Sequence, residues 1–258
     1  MSHFLDLSGH VVLVTGSTKH LGRVMAELFA EHGAMVIINS RHDEDIKRTV
    51  RELHAKGYAA EGIRADVGEE KEVEAMLRII KDRFGRLDVV VNNAAARTVG
   101  SRITEELDKA DWDEKFRTNV LGAFYICQGV IPLMKAQKNG VILNISSGTA
   151  FGKPPAISSL SYAASKGALI SFTKGLAKEL GGEHIRVNAV VLPLLRHREE
   201  LDYAPDVYRN AALSAPLKRL VDDKEVAATL LFLASGMSSA ITGEVIALGG
   251  LQNITTEF

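Results

Sequence analysis

The chain has 258 residues, 46% of them hydrophobic, with 31 Lys and Arg against 32 Asp and Glu and a formal net charge of −1. A near-neutral chain of this length can bury one large core or two small ones, and it offers no basic surface for nucleic acid or an anionic membrane. The single Cys127 excludes an intrachain disulfide and a thiolate zinc cluster, and the eight histidines fall at no metal-ligand spacing.

No apolar run is long enough to span a bilayer, and the start MSHFLDLSGHVVLVTG lacks the pattern of an export signal. The expectation is a cytoplasmic protein with no metal. In chain order, HVVLVTG (10–16) reads as a buried strand, followed by a helical segment over 21–32. AMVIINS (34–40) and a helix over 43–56 repeat the pattern, and AEGIRAD (60–66) is a more polar strand before a helix over 69–84. LDVVVNN (87–93) precedes a long helical stretch over 111–137, and GVILNIS (140–146) precedes a helix over 161–180. IRVNAVV (185–191), a helix over 223–235 and GEVIALG (243–249) complete the series. Gly33, Gly57 and the Gly181-Gly182 pair stand where helices should stop. Strands alternating with helices imply right-handed crossovers and parallel pairing. The fold class is therefore α/β, a single Rossmann-type doubly wound domain of about seven parallel strands flanked by helices. With no linker, repeat or low-complexity tract, residues 1–258 read as one domain.

In such a sheet, ligands bind beyond the carboxyl ends of the strands, so the residues just after each strand carry the information. After the first strand comes TGSTKHLGR (15–23), a turn opening a helix, where unbonded N–H groups and the helix dipole suit a pyrophosphate. Only Gly16 and Gly22 are present, so as a dinucleotide fingerprint the turn is incomplete and could be structural. In SYAASK (161–166), Tyr162 and Lys166 are four residues apart, on one face of a helix. A cation that close favours phenolate and would bring the phenol's pKa toward neutrality, making it a proton donor or acceptor. Taken alone, such a pair also arises by chance on an amphipathic helix.

Taken together, these motifs resemble the short-chain dehydrogenase/reductase family over about residues 5 to 253. Thr15, Gly16 and Gly22 match the family's T-G-x-x-x-G-x-G turn, with His20 at the middle glycine. NNAA (92–95) resembles its N-N-A-G, Asn119 in TNVLGAF its N-x-x-G helix motif, NISSG (144–148) its catalytic-Ser strand end and YAASK its Tyr-x-x-x-Lys. The resemblance implies a nicotinamide cofactor and a catalytic set of Asn119, a serine, Tyr162 and Lys166. Tyr162 would pass the proton, Lys166 would lower its pKa and hold the nicotinamide ribose, the serine would bind the substrate carbonyl, and Asn119 would hold a water leading to solvent. Ser147 is preferred to Ser146 as the second Ser of the strand end. It lies fifteen residues before Tyr162, longer than the family's usual spacing, so 148–160 reads as carrying a small insertion.

An acidic residue at the end of the second strand would repel a 2′-phosphate. Here Ser40 and Arg41 stand there, and Lys19 sits in the phosphate turn, so NADP(H) is expected over NAD(H). By resemblance Asp66 and Val67 would contact the adenine, with Asn92 and Ala94 on the adenosine side. Ser17, Leu21, Asn93, Ala95 and Pro193 complete the cofactor set, with Gly16, Lys19, His20, Gly22, Tyr162 and Lys166. Several positions depart from the family: His20, Ala95, Leu192-Pro193 in place of Pro-Gly, His197 in place of Thr, and Leu248 before the terminal glycines. These leave the Tyr–Lys chemistry intact and put the nicotinamide side in question, so a non-catalytic NADP(H)-binding sensor or scaffold stands as the alternative to a reductase. The expected partners are a small carbonyl or alcohol, with Arg97, Gly148 to Phe151 and Ile157 at the pocket wall, and a homo-tetramer or dimer through 111–137 and 161–180.

Overall fold

A computed structural model of the chain describes residues 5–97, 108–151, 160–195 and 205–249. All seven expected strands form: β1 (Val11–Val14), β2 (Met35–Ser40), β3 (Ala60–Arg64), β4 (Val89–Asn92), β5 (Gly140–Ser147), β6 (Ile185–Leu192) and β7 (Val245–Ala247). They make one parallel sheet in the order β3-β2-β1-β4-β5-β6-β7. The residues of β1, β2, β4, β5 and β6 are almost all buried on both sides, which is what a sheet covered by helices on each side requires, while edge strand β3 keeps Arg64 exposed.

The helices are α1 (His20–Glu31), α2 (Asp43–Ala55), α3 (Glu70–Phe84), α4 (Lys109–Phe116), α5 (Gly122–Gln137), α6 (Leu160–Leu180), α7 (Pro205–Ser214) and α8 (Asp223–Ala234). Alternate strand residues feed two cores. Val12, Val14, Val36, Ile38, Val89 and Val91 pack with α1, α2 and α8, while Leu13, Ile37, Val90 and Ile142 pack with α3, α5 and α6. The connections from β1 to α1 and from β2 to α2 are short, whereas those from β4 to α4, β5 to α6 and β6 to α7 are long.

Two features differ from the sequence-based expectation. The stretch expected as one helix over 111–137 is α4 and α5 joined by a wide π turn over Arg117–Leu121, in which the Gly122 N–H donates to the Arg117 carbonyl. The helix α7 was not anticipated, although Pro205 at its first position is a common opening residue. The sheet's winding reverses between β1 and β4, and the crevice above their carboxyl ends is where a ligand is expected.

Candidate active site

The first turn of the crevice is built around backbone. Gly16 has φ +62°, and a Cβ on Gly22 would lie 2.2 Å from the Gly16 carbonyl oxygen, so only glycine fits at position 22. Thr15 Oγ1 accepts the N–H groups of Asn93 and Ala94 at 3.0 Å each, and Asn93 Nδ2 donates back to the Thr15 and Gly16 carbonyls at 2.8 and 3.2 Å. The ends of β1 and β4 are thereby sewn into one floor. Ser17 is buried against β2, its Oγ accepting the Asn39 N–H at 3.0 Å, and Leu21 is in the core, so both can offer a ligand only backbone. At its start α1 has no side-chain cap from Lys19 and no acidic residue in its first turn. That leaves its N-terminal N–H groups and dipole available to an anion. His20, standing where a glycine was expected, adopts φ +49°. The turn keeps its left-handed geometry and His20 carries the strain of it.

On the adenosine side both candidate cations already face carboxylates. Lys19 Nζ lies 3.0 Å from Asp45 Oδ2, and Arg48 lies 2.6 Å from Asp45 Oδ1. These hydrogen bonds, Lys19's first and then Arg48's, hold the Asp45 carboxyl below its ordinary range. Arg41 is exposed and lies 4.0 Å from Asp66 Oδ2, which Arg117 also approaches at 3.5 Å. Asp66 Oδ1 accepts the Gly68 N–H at 2.9 Å, and Val67 is buried beside Gly122. The Ser40 hydroxyl accepts the His42 N–H at 3.3 Å. Asn92 differs from the rest of its set: its Nδ2 donates to Asn144 Oδ1 at 2.8 Å and approaches Cys127 Sγ at 3.7 Å. Its side chain is turned into the core and reaches no crevice. The Cys127 thiol is pushed up to about 12 by burial, which makes it inert as a nucleophile.

At the end of β5 the two serines separate as alternation requires. Ser146 is buried and donates to the Lys166 carbonyl at 2.9 Å. Ser147 is half-buried, and its Oγ accepts the Thr149 N–H and hydroxyl at 3.4 and 3.2 Å. Lys166, 2% exposed, donates from Nζ to the Ile145 carbonyl at 2.8 Å, and Nζ lies 5.8 Å from the centre of the Tyr162 ring. Asn119 sits in the π turn. Its Oδ1 accepts the Ala96 N–H at 2.8 Å, and its Nδ2 donates to the Ala96 carbonyl and to Ser165 Oγ at 3.2 and 2.9 Å. The phenol, the ammonium, Ser147 and Asn119 therefore converge on the carboxyl ends of β4 and β5.

Residues 16–250 match a family model described as enoyl-(acyl carrier protein) reductase. The dehydrogenase subunit BbsD of Thauera aromatica, named for (2S)-[(R)-hydroxy(phenyl)methyl]succinyl-CoA, is 36% identical over 97% of this chain and 99% of its own. The 3-oxoacyl-[acyl-carrier-protein] reductase FabG of Thermotoga maritima is 36% identical over 95% and 98%. Among solved structures, gluconate 5-dehydrogenase from Burkholderia cenocepacia in complex with NADP and tartrate superposes with a TM-score of 0.88 at 28% identity, covering 96% of each chain. The chain belongs to the short-chain dehydrogenase/reductase family. It is an oxidoreductase of the class that interconverts CH–OH and C=O groups.

In this short-chain dehydrogenase/reductase the segment after β6, expected on the nicotinamide side, has Leu192-Pro193 where the family has Pro-Gly. Pro193 follows β6 and packs against Gly249, where a Cβ would meet Pro193 Cγ at 3.1 Å, and Leu248 donates its N–H to the Val191 carbonyl at 3.1 Å. Pro193 has no N–H to present there. His197 and Ile157 lie outside the described residues, and Ala95 is exposed at the rim. The group that sequence reasoning missed is a buried set beneath Tyr162, formed by Asp111, Lys115 and Ser161, taken up below. Among the described residues no helix is long and apolar enough to cross a membrane, and no cluster of three or more His, Cys, Asp or Glu could hold a metal.

Proposed function

We propose that the protein is an NADP(H)-dependent enzyme that reduces a carbonyl or oxidises the matching alcohol, with Ser147, Tyr162, Lys166 and Asn119 as its working set. The observation that carries this reading is a buried lysine whose ammonium stands 5.8 Å from the Tyr162 ring and donates to the Ile145 carbonyl, two residues before the half-buried Ser147 on β5. The chain's residues fit the cofactor. The Gly16–Gly22 cradle admits no Cβ at its tightest point, and α1 begins without a side-chain cap. Gly16, Ser17, Lys19, His20, Leu21 and Gly22 would hold the pyrophosphate, mainly by backbone. Arg41 and Lys19 would meet the 2′-phosphate, Asp66 and Val67 the adenine, and Asn93, Ala94, Ala95 and Pro193 the inner half. When bound, the dihydronicotinamide supplies the hydride.

The chain's own part is the proton and the charge. Ser147 hydrogen-bonds the carbonyl oxygen, and Tyr162 gives its hydroxyl proton to that oxygen as negative charge develops there, or removes it in the oxidative direction. Lys166 favours the phenolate left behind. Asn119 fixes Ala96 against α6, and a water on its main chain refills the proton through Lys166. We read residues 1–258 as one cytoplasmic unit. The exposed apolar side chains of Leu121, Phe124 and Leu160 on and near α5 and α6 support association into dimers or a tetramer.

The relatives' names span acyl thioesters and sugar acids, so substrate identity is an experimental question. NADPH oxidation should be followed by dihydronicotinamide absorbance across acetoacetyl-CoA, L-sorbose, a keto-sugar acid and small ketones. Turnover of at least one is expected. Tyr162→Phe should cut kcat by about 10²–10⁴-fold while NADPH still binds. A Tyr162→Phe protein at full rate would remove the assigned proton donor, and tighter binding of NADH than NADPH in a fluorescence titration would remove the cofactor assignment.

A further inference from the structure

Lys115 is among the largest fully buried side chains, 2% exposed, although it lies on a short helix rich in charge. Its Nζ stands 3.4 Å from Asp111 Oδ1, on a side chain 8% exposed, and 2.8 Å from Glu114 Oε2 toward solvent. The other Asp111 oxygen, Oδ2, accepts the hydroxyl of Ser161. Ser161 is completely buried and immediately precedes Tyr162 in the first turn of α6. A buried ion pair is a weak source of stability, since desolvation offsets most of the attraction, and apolar residues would join the two helices as well. It does give direction: a carboxylate held on one oxygen by Lys115 presents the other to the Ser161 hydroxyl.

That hydroxyl sits where α6 most needs an anchor. The second turn of α6 is tied to β5, because Ser146 donates to the Lys166 carbonyl and Lys166 donates to the Ile145 carbonyl. The first turn has no acidic residue of its own, and Asp111 supplies a negative charge there from α4, where a helix N-terminus accepts it. Tyr162 and Lys166 are thus fixed from opposite sides, by α4 and by β5. Turning or lifting the first turn would move the phenol away from the ammonium while leaving the ammonium in place.

We infer that Asp111, anchored by Lys115, and Ser161 are positioning residues that set the distance of Tyr162 from Lys166. The inference rests on the reading of Tyr162 as proton donor and deepens it. Misplacing a reacting group by about 1 Å can cost about 10²-fold in rate, so a partial release should be read in kcat.

The test compares Ser161→Ala, Asp111→Ala, their double variant and Asp111→Asn, the last of which keeps an oxygen for Ser161. Each is measured for thermal midpoint, NADPH affinity, and kcat and KM on the best carbonyl of the panel. Tyr162 ionisation is followed in the NADP-bound protein by NMR of ring-labelled tyrosine. The chain has five tyrosines, and the Tyr162 signal is the one absent from Tyr162→Phe. Ser161→Ala and Asp111→Ala should each lower kcat by about tenfold with NADPH affinity unchanged, and the double variant should be no slower than the slower single. Asp111→Asn should recover most of the rate, and in Ser161→Ala the phenol should titrate at higher pH than in wild type. Asp111→Ala strands a buried ammonium and can fail to fold; Ser161→Ala exposes no charge and then decides alone. An unchanged kcat and Tyr162 titration in Ser161→Ala, a loss confined to KM, or multiplicative losses in the double variant would overturn the clamp. A wild-type Tyr162 titrating near the ordinary ~10 would instead remove the proton-donor reading, and the clamp with it.

Discussion

Below the amino ends of β1 and β4, polar groups close on one another. Buried Asp88 accepts the Val11 N–H at 2.8 Å and the Nε and Nη2 N–H groups of Arg86, at 2.8 and 2.7 Å, and its own carbonyl takes the Val141 N–H at 2.8 Å. Gln137 closes the remaining backbone by accepting the Leu87 N–H at 3.0 Å and donating to the Leu87 and Asn139 carbonyls at 3.3 and 3.2 Å. Above the carboxyl ends the same strands finish in groups that face one crevice: the uncapped start of α1, left-handed His20, half-buried Ser147 and the Tyr162–Lys166 pair. One end closes its hydrogen bonds on the sheet, and the other turns polar groups toward the crevice. Substitutions at the two ends should therefore separate stability from binding.

The largest expected effect belongs to the closed end. Asp88→Ala leaves the buried Val11 N–H unpaired and removes the link between β1, β4 and Arg86. It should cost about 2–4 kcal/mol of stability, seen as a lower urea midpoint, while the fraction still folded binds NADPH as before. Cys127, buried and with its thiol pushed up to about 12, should react with a thiol reagent faster in this variant, because global opening is what exposes it. Weakened NADPH binding with no change of midpoint would erase the distinction between the ends.

Next is Gly22→Ala at the open end. The added Cβ meets a backbone oxygen at 2.2 Å and cannot be relieved by a side-chain rotation. The overpacking should cost about 1–3 kcal/mol, less than the change at Asp88, yet NADPH affinity should fall by at least about tenfold as the cradle widens. Retained affinity would mean that the turn is a structural bend and that the cofactor is held elsewhere.

The strands were legible because β-branched runs bounded by turns have few other solutions, and β1 through β7 stand where the pattern put them. Tertiary contacts hid the rest. Nothing in RTNVL marks a helix break, and the π turn there coincides with both ends of the Asn119 amide being taken by Ala96, a residue twenty-three positions earlier. An i,i+4 Asp–Lys spacing carries no signal of burial, and Asp111 and Lys115 are buried where α4 packs on α6. The choice of Ser147 rested on the pairing of family motifs and on alternation, whereas the reason Ser146 is committed elsewhere is the Lys166 carbonyl on a helix the strand cannot foresee. Asn92, assigned to the adenosine side, faces Asn144 instead because β4 and β5 are in register at those two residues.

The smallest effect concerns the cations of the open end, and it sharpens the comparison most, because there even that end has begun to close on itself. Lys19 and Arg48 share Asp45, whose carboxyl is held below its ordinary range first by Lys19 and then by Arg48. A 2′-phosphate must compete with that carboxylate, so Lys19→Ala should weaken NADPH by only about fivefold, in keeping with the modest worth of exposed ion pairs, and leave NADH unchanged. Asp45→Asn should act in the opposite direction, strengthening NADPH and steepening the loss of affinity with salt, since Lys19 then meets the phosphate without a rival carboxylate. Because the Asp45 pKa is depressed, the pairing persists down through the ordinary carboxylate range and is lost only as pH falls below it. The NADPH-to-NADH ratio should consequently stay flat around neutral pH. Equal weakening of both cofactors in Lys19→Ala would place Lys19 on the shared pyrophosphate and take the 2′-phosphate role from it.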